Sequence, residues 1–245
     1  MVDLHSHVLP DIDDGAKDLS EAVNLIRMEL SCGVDTIVAT PHFNFEHDHI
    51  EEFILKRQKA LKSLKDALTS IDIDVNIIEG AEVYLSPRIL EDRLKNELCY
   101  SGTNYMLVEF LMERFPEWIP QVLYRLKLEG ITPVIAHVER YPYIQKHPDI
   151  LYHIVDAGSI TQVNAASLVL DSHKMRNIIF NYMKHNLIHI IASDAHSVNH
   201  RPPVIDKAMQ VIEKKFGSEI AEYYKFNSEA IIANRQLELL ESVEI

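Results

Sequence analysis

The chain's 245 residues carry 37 acidic and 24 basic side chains, a formal net charge of -13 at pH 7. That sign disfavours nucleic acid as a partner, because its phosphates are bound by Lys and Arg, and the length suits one α/β barrel or two small domains, of which a single domain over residues 1–245 is the simpler expectation. Cys32 and Cys99 are the only cysteines, and Val38 and Tyr105 stand where an arginine six residues on would be needed, so a disulfide framework and a cysteine-based phosphatase loop are both disfavoured.

Val2 to Leu4 suits a short first strand, and Asp13-Asp14-Gly15 suits a turn that brings carboxylates back toward its end. The opening residues are charged and unlike a secretory leader, and no run reaches the ~20 apolar residues of a membrane span. The expectation is a cytoplasmic protein without membrane insertion. Asp18 with Glu21 resembles a capping box ahead of a helix marked by Leu19, Ala22, Val23, Ile26 and Leu30 and ended by Gly33. Thr36 to Ala39 reads as strand two, His42 to His49 as a polar loop, and Ile50 onward as a long amphipathic helix through Ile54, Leu61, Leu64 and Leu68. Val75 to Ile78 is strand three, Ser86-Pro87 starts a short helix, and Tyr105 to Val108 is strand four. A helix over Ile119 to Leu128 stops at Gly130, and strand five spans Thr132 to Ala136. Tyr141 to Ala157 reads as helical after its prolines, Ile160 to Val163 as strand six, Lys174 to Lys184 as a helix, and Ile188 to Ala192 as strand seven. Helical spacing resumes after Pro202-Pro203 through Val204, Ala208, Val211 and Ile212, and Ser228 to Ala233 suits a short terminal helix. This alternation favours a closed or nearly closed barrel of parallel strands.

Residues of metal-ligand type recur where these strands end: His5 and His7, His42, Glu82, Glu109, His137, and Asp194 with His196, joined by Asp14 from the first turn. In α/β barrels, polar residues at that end of successive strands converge on one site. Imidazole and carboxylate are the donors that divalent ions take, and this set exceeds what one ion can use. Singly, each residue is more simply a surface or hydrogen-bonded side chain; the joint pattern carries the metal reading. Arg140 and Arg201 lie just past His137 and His196, where bidentate phosphate binding and surface ion pairing both suit an arginine. His47, His49, His147, His153, His173, His185 and His200 lack a strand-end position and read as solvated or structural, and His189 reads as a core histidine of the last strand. Glu139 reads as a partner to a ligand rather than a ligand. Phe43, Phe45, Phe115, Trp118 and Tyr141 suit an aromatic leaving-group pocket or the core equally.

Asp3-Leu4-His5-Ser6-His7, Asp13-Asp14-Gly15, Thr40-Pro41-His42, Gly80-Ala81-Glu82, Glu109-Phe110, Ala136-His137-Val138-Glu139-Arg140-Tyr141 and Ser193-Asp194-Ala195-His196 resemble the ordered motifs of the PHP superfamily. The Leu9-Pro10 to Gly15 loop, Gln162-x-Asn164 and His196-x4-Arg201-Pro202 most resemble its bacterial manganese-dependent tyrosine-protein phosphatases of capsule and exopolysaccharide clusters. Two departures are Asp11, where relatives usually carry Gly, and Gln162-Val163-Asn164-Ala165-Ala166, which lacks a Gly before its serine. The resemblance implies a distorted (β/α)7 TIM-like barrel holding three divalent ions, Mn2+ in the first place, with Fe, Mg or Zn as alternatives. It implies His5, His7, Glu82 and Asp194 on the first ion, Glu82 bridging to a second held by Glu109 and His137, and Asp14, His42 and His196 on a third. Arg140 and Arg201 are then catalytic phosphate partners. The implied substrate is a phosphotyrosine protein, in particular a bacterial tyrosine autokinase of polysaccharide synthesis, and the sequence leaves a homo-oligomer open. A small-molecule phosphatase such as one acting on histidinol phosphate, and a metal-stabilised interaction module without turnover, are the competing readings.

Overall fold

Side chains along a β-strand alternate between its two faces, and here that alternation decides where the polar strand ends go. The computed structural model describes residues 1–237 and 239–245. In chain order its elements are β1 (Val2–Ser6), α1 (Leu19–Ser31), β2 (Thr36–Ala39), β3 (His42–Asn44), α2 (Ile50–Ser70), β4 (Asn76–Glu79), β5 (Glu82–Tyr84), β6 (Tyr105–Glu109), α3 (Ile119–Leu128), β7 (Thr132–Ile135), α4 (Pro142–Lys146), α5 (Asp149–Asp156), β8 (Ile160–Asn164), α6 (Ala165–Val169), α7 (His173–Lys184), β9 (Ile190–Ala192), α8 (Ile205–Phe216) and α9 (Ser218–Ile232). Among the described residues the strands form two sheets, β1-β2-β4 and β3-β5-β6-β7-β8-β9, and every strand pair is parallel. The fold is therefore mixed α/β with parallel sheets. Hydrogen bonds also tie β1 to the segment after β9, from Asp194 N to His5 O at 2.7 Å and from His7 N to Ala195 O at 2.8 Å.

Both sheets share one inner core, built from Leu4, Val38, Leu107, Val134, Ile160 and Ile190. The intervening residues Ile37, Met106, Val108, Ile135 and Ile191 pack in a second core with the helices. Each fully buried Leu, Ile or Val contributes roughly 2 kcal/mol. Two residues past the inner core, the same face presents Glu109 in β6 and Gln162 in β8, so an apolar floor passes into a polar roof. Strict alternation from Val2 and Leu4 would turn His5 away. The β1–β2 register slips between Asp3 and Ser6, and that irregularity brings His5 and His7 onto the roof. At the opposite end, Ala230, Ile231 and Leu237 close the floor, and Tyr105 Oη donates to Arg235 O at 2.8 Å.

The ladder contains two short strands, β3 and β5, beyond those expected. His42 to Asn44 is strand, not loop, because His42 pairs with Glu82 and Asn44 with Tyr84. Pro41 has no N–H to give, so β2 stops before it and β3 begins after. The expected third strand, Val75 to Ile78, is β4, and a further strand, β5, follows it after Gly80-Ala81, where the sequence reading placed none. A Cβ at Gly80 would lie 2.8 Å from Val38 Cγ1 and 3.0 Å from Tyr100, which only glycine avoids. The run from Tyr141 to Ala157 is two helices, since Pro148 restricts His147 to φ -132°, ψ 75°. The terminal helix begins at Ser218, ten residues before its expected start. Its buried face includes Ala221, Tyr224, Asn227 and Ser228, small and polar residues that carry little hydrophobic periodicity. No described helix is long and apolar enough to cross a membrane.

Candidate metal centre

The strand ends deliver imidazoles and carboxylates to one buried place. His5 Nε2 and His7 Nε2 stand 3.2 Å apart, each 3.2 Å from Glu82 Oε2, with Asp194 Oδ1 at 3.3 Å from His5 and 3.6 Å from His7. His42 Nδ1 lies 3.2 Å from the same Glu82 oxygen and 3.5 Å from Glu109 Oε1. Asp14 Oδ1 faces His42 Nε2 at 3.4 Å and His196 Nε2 at 3.3 Å. His137 Nε2 meets Glu82 Oε1 at 2.8 Å and stays 3.8 Å from Glu109 Oε2.

Among the described residues, three groups have donor atoms all within 4.8 Å of one another: His5, His7, Glu82 and Asp194; His7, Asp14, His42 and His196; and His42, Glu82 and Glu109. The structure thus gathers the expected first set as it stands and adds His7 to the third. The second closes around His42, Glu82 and Glu109, and His137, which the sequence reading placed there, lies 2.8 Å from Glu82 and 3.8 Å from Glu109. His42 reaches both groups because its two ring nitrogens face opposite ways.

The chemistry of these donors fits a cation. Asp13 Oδ2 accepts from His7 Nδ1 at 2.7 Å, and the Asp194 carbonyl accepts from His196 Nδ1 at 3.0 Å. With the proton on Nδ1, each Nε2 is a bare lone pair, and each faces a carboxylate oxygen. Acceptor against acceptor is stable only with a proton or a metal ion between. At His7 a proton takes that place when no metal does, whereas burial lowers the His196 imidazole. Burial would depress the His7 imidazole, but Asp13 and Glu82 outweigh it and push the group up to about 9. Burial likewise disfavours charge on His42, yet Asp14, Glu109 and Glu82 raise it to about 11. Burial would raise Glu82, and the His5, His137 and His7 imidazoles hold it well below the usual carboxylate range. The raised His7 and His42 imidazoles must lose their extra proton to become ligands, so metal loading releases protons.

Arg140 Nη1 lies 3.3 Å from Asp194 Oδ2, and Arg201 Nη2 pairs with the same oxygen. That carboxylate therefore turns one oxygen to the histidines and the other to the arginines. Gly15 closes the loop beneath His7; a Cβ there would lie 2.3 Å from His7 O.

The sequence reading missed three groups. Asp13 holds His7, His42 N at 3.1 Å and Gly15 N at 3.0 Å, although only its neighbour Asp14 was singled out. Asp3 and Glu29 are fully buried behind β1 and share Ser193, whose Oγ is 3.2 Å from Glu29 Oε1. Burial raises both carboxyls, Glu29 the more strongly because Asp3 lies beside it. The signal for Glu29 was a charge on the apolar face of α1, one turn after Leu25 and Ile26. Gln162 and Asn164 were noted in a motif without a role; Gln162 Oε1 is 3.1 Å from His5 Nδ1.

Phe43 and Phe45 do not wall the site. His42 occupies the inner face, so alternation sends Phe43 to the outer core, where it packs on Phe45 and Phe53. Tyr141, fully buried, stacks on Tyr143 at 5.4 Å and lies 5.7 Å from His137. Phe115 is 6.0 Å from Phe110, and Trp118 packs against the outer core. Glu139 Oε1 accepts from Asn164 N at 3.0 Å and Ser167 Oγ at 2.8 Å. His47, His49, His147, His153, His173 and His200 are exposed, and His185 Nδ1 bonds the Asn181 carbonyl.

Similar proteins cover nearly the whole of this chain. Tyrosine-protein phosphatase YwqE of Bacillus subtilis (strain 168) is 34% identical over 239 residues, 97% of this chain and 93% of the relative. Putative tyrosine-protein phosphatase CapC of Staphylococcus aureus is 33% identical with the same coverage. A crystal structure from the pair YwqE of Bacillus subtilis and CpsB of Streptococcus pneumoniae, described as unique metal-dependent tyrosine phosphatases, matches with a TM-score of 0.93 at 32% identity, covering 100% of this chain and 99% of the other. A family model for capsular polysaccharide synthesis, CpsB/CapC, matches residues 1–233, and the chain belongs to that family.

Proposed function

We propose that the chain is a metal-dependent protein-tyrosine phosphatase of capsular or extracellular polysaccharide synthesis. It is one cytoplasmic domain in which β2 with β3 and β4 with β5 each count as one bent strand, giving seven strand positions around a distorted TIM-like barrel. The observation that carries the reading is the sharing of His7, His42 and Glu82 among three donor groups that each close within 4.8 Å. Such sharing suits ions a few ångströms apart. Three divalent ions are the best count: His5, His7, Glu82 and Asp194 hold the first, Glu82, Glu109 and His137 the second, and Asp14, His42 and His196 the third. Nitrogen and oxygen donors without thiolate admit Mn2+, the ion that the family resemblance implies, with Fe, Mg or Zn as chemically allowed substitutes.

When bound, the ions supply an acidified water and electrophilic contacts for phosphoryl oxygens. Four carboxylates against three divalent ions leave the site positive, which suits a phosphate dianion despite the acidic chain. Arg140 and Arg201, with side chains 41% and 36% exposed, turn from Asp194 to the phosphate and hold its oxygens as charge shifts in the transition state. Neither cysteine competes as a nucleophile, because burial pushes the Cys32 and Cys99 thiols up to about 12. The tyrosine autokinase of a polysaccharide cluster is the partner that the family's role supports.

The test compares turnover by Mn2+-loaded protein on a tyrosine-phosphorylated peptide and on histidinol phosphate. Preference for the peptide is expected. Preference for histidinol phosphate would move the assignment to a small-molecule phosphatase, and hydrolysis of neither would leave a binding module.

A further inference from the structure

A one-way chain of hydrogen bonds runs beneath the donor groups, and Asp194 sets its direction. The Asp194 carboxylate only accepts, so Asn164, 2.6 Å from Oδ2, presents Nδ2 to it. Asn164 Oδ1 is then an acceptor, met by Gln162 Nε2 at 2.8 Å. Gln162 Oε1 is in turn an acceptor, with His5 Nδ1 at 3.1 Å and the His137 backbone N–H at 2.9 Å. That N–H can only donate, so both ends of the chain demand the same orientation of both amides. His5 therefore carries its proton on Nδ1 and directs the Nε2 lone pair at Glu82 and Asp194.

The chain is shielded from water, since Gln162 is 1% and Asn164 6% exposed. Its effect reaches the backbone. His137 sits at φ 36°, ψ 54°, a left-handed conformation that costs a residue with a Cβ roughly 1–2 kcal/mol, and its N–H is held there by Gln162. Asp194 also turns through positive φ, at 53°.

We propose that Gln162 is a positioning residue of the metal centre: its one amide commits His5 to bind through Nε2 and holds His137 in its turn, linking donors assigned to two different ions. The inference rests on the metal reading above. Gln162→Met keeps the length and removes the amide, and Gln162→Glu keeps the acceptor while an ionised carboxylate has no donor for Asn164 Oδ1. Coulomb attraction alone makes Gln162→Glu bind cations more tightly; the hydrogen-bond polarity makes it bind them more weakly. Mn2+ affinity, measured by competition with a chelator at alkaline pH, is expected to fall about 10- to 100-fold in both variants, with the far-ultraviolet circular dichroism of metal-free protein unchanged. If Gln162→Met does not fold, Gln162→Glu decides alone. Wild-type affinity in a folded variant, with only a lower melting temperature of the metal-free protein, makes Gln162 merely structural and overturns the inference. Wild-type protein that binds no Mn2+ overturns the metal reading instead.

Discussion

Asp13 accepts three hydrogen bonds, from His7 Nδ1, His42 N and Gly15 N, and only a carboxylate can accept at both oxygens. Asp13→Asn must turn its NH2 against one of these donors, and it also removes the charge that steadies His7. Mn2+ affinity should fall about 10- to 100-fold while the fold persists; titration calorimetry that found it unchanged would remove Asp13 from the centre. The two oxygens of Asp194 separate binding from chemistry. Asp194→Ala should lose both bound metal and turnover. Arg201→Ala should keep its metal, by elemental analysis, and lose turnover on the order of 10²–10³-fold, the size of removing one transition-state donor. Metal missing from Arg201→Ala would make that arginine structural.

At the scale of elements, the loop between β1 and α1 joins two features of different cost. Asp18 caps α1 through Oδ1, 2.8 Å from Glu21 N, at an exposed position. Asp18→Ala should cost about 1 kcal/mol in denaturant titration and leave phosphopeptide turnover as it was. Gly15 lies only three residues earlier, yet Gly15→Ala forces its Cβ into His7 O and His7 Cβ. That variant should lose metal binding together with activity, and retained Mn2+ affinity would mean that the loop yields without moving His7. The contrast follows from what each residue touches, solvent and a helix end in one case and a proposed ligand in the other.

For the whole molecule, His189 ties acid stability to the fold. It is buried just ahead of β9, its Nδ1 accepting from Thr161 N at 3.1 Å, and burial alone lowers its imidazole to about 4. Between about 4 and the ordinary value of 6.5 the unfolded chain binds a proton that the folded chain refuses. Stability therefore falls as pH drops through that window and levels off below it, by about 3 kcal/mol in all. His189→Asn keeps an acceptor for Thr161 and does not titrate, so the pH dependence of unfolding in chelator should shrink over that range; an unchanged slope would place the loss elsewhere. The sequence alone determined the alternation of strand and helix and the polar residue ending each apolar run, because both are written at spacings of a few residues. Its family resemblance also implied Asp14, His42 and Glu109 as partners of histidines elsewhere in the chain, without the distances among them. Only the tertiary structure decided that His42 stands between two donor groups, that Asp13 orients His7, and that the direction of the Gln162 and Asn164 amides is set by Asp194. His5 and Gln162 are 157 residues apart, and the polarity of a hydrogen bond between such residues follows from the folded surroundings of both ends, which no local spacing encodes.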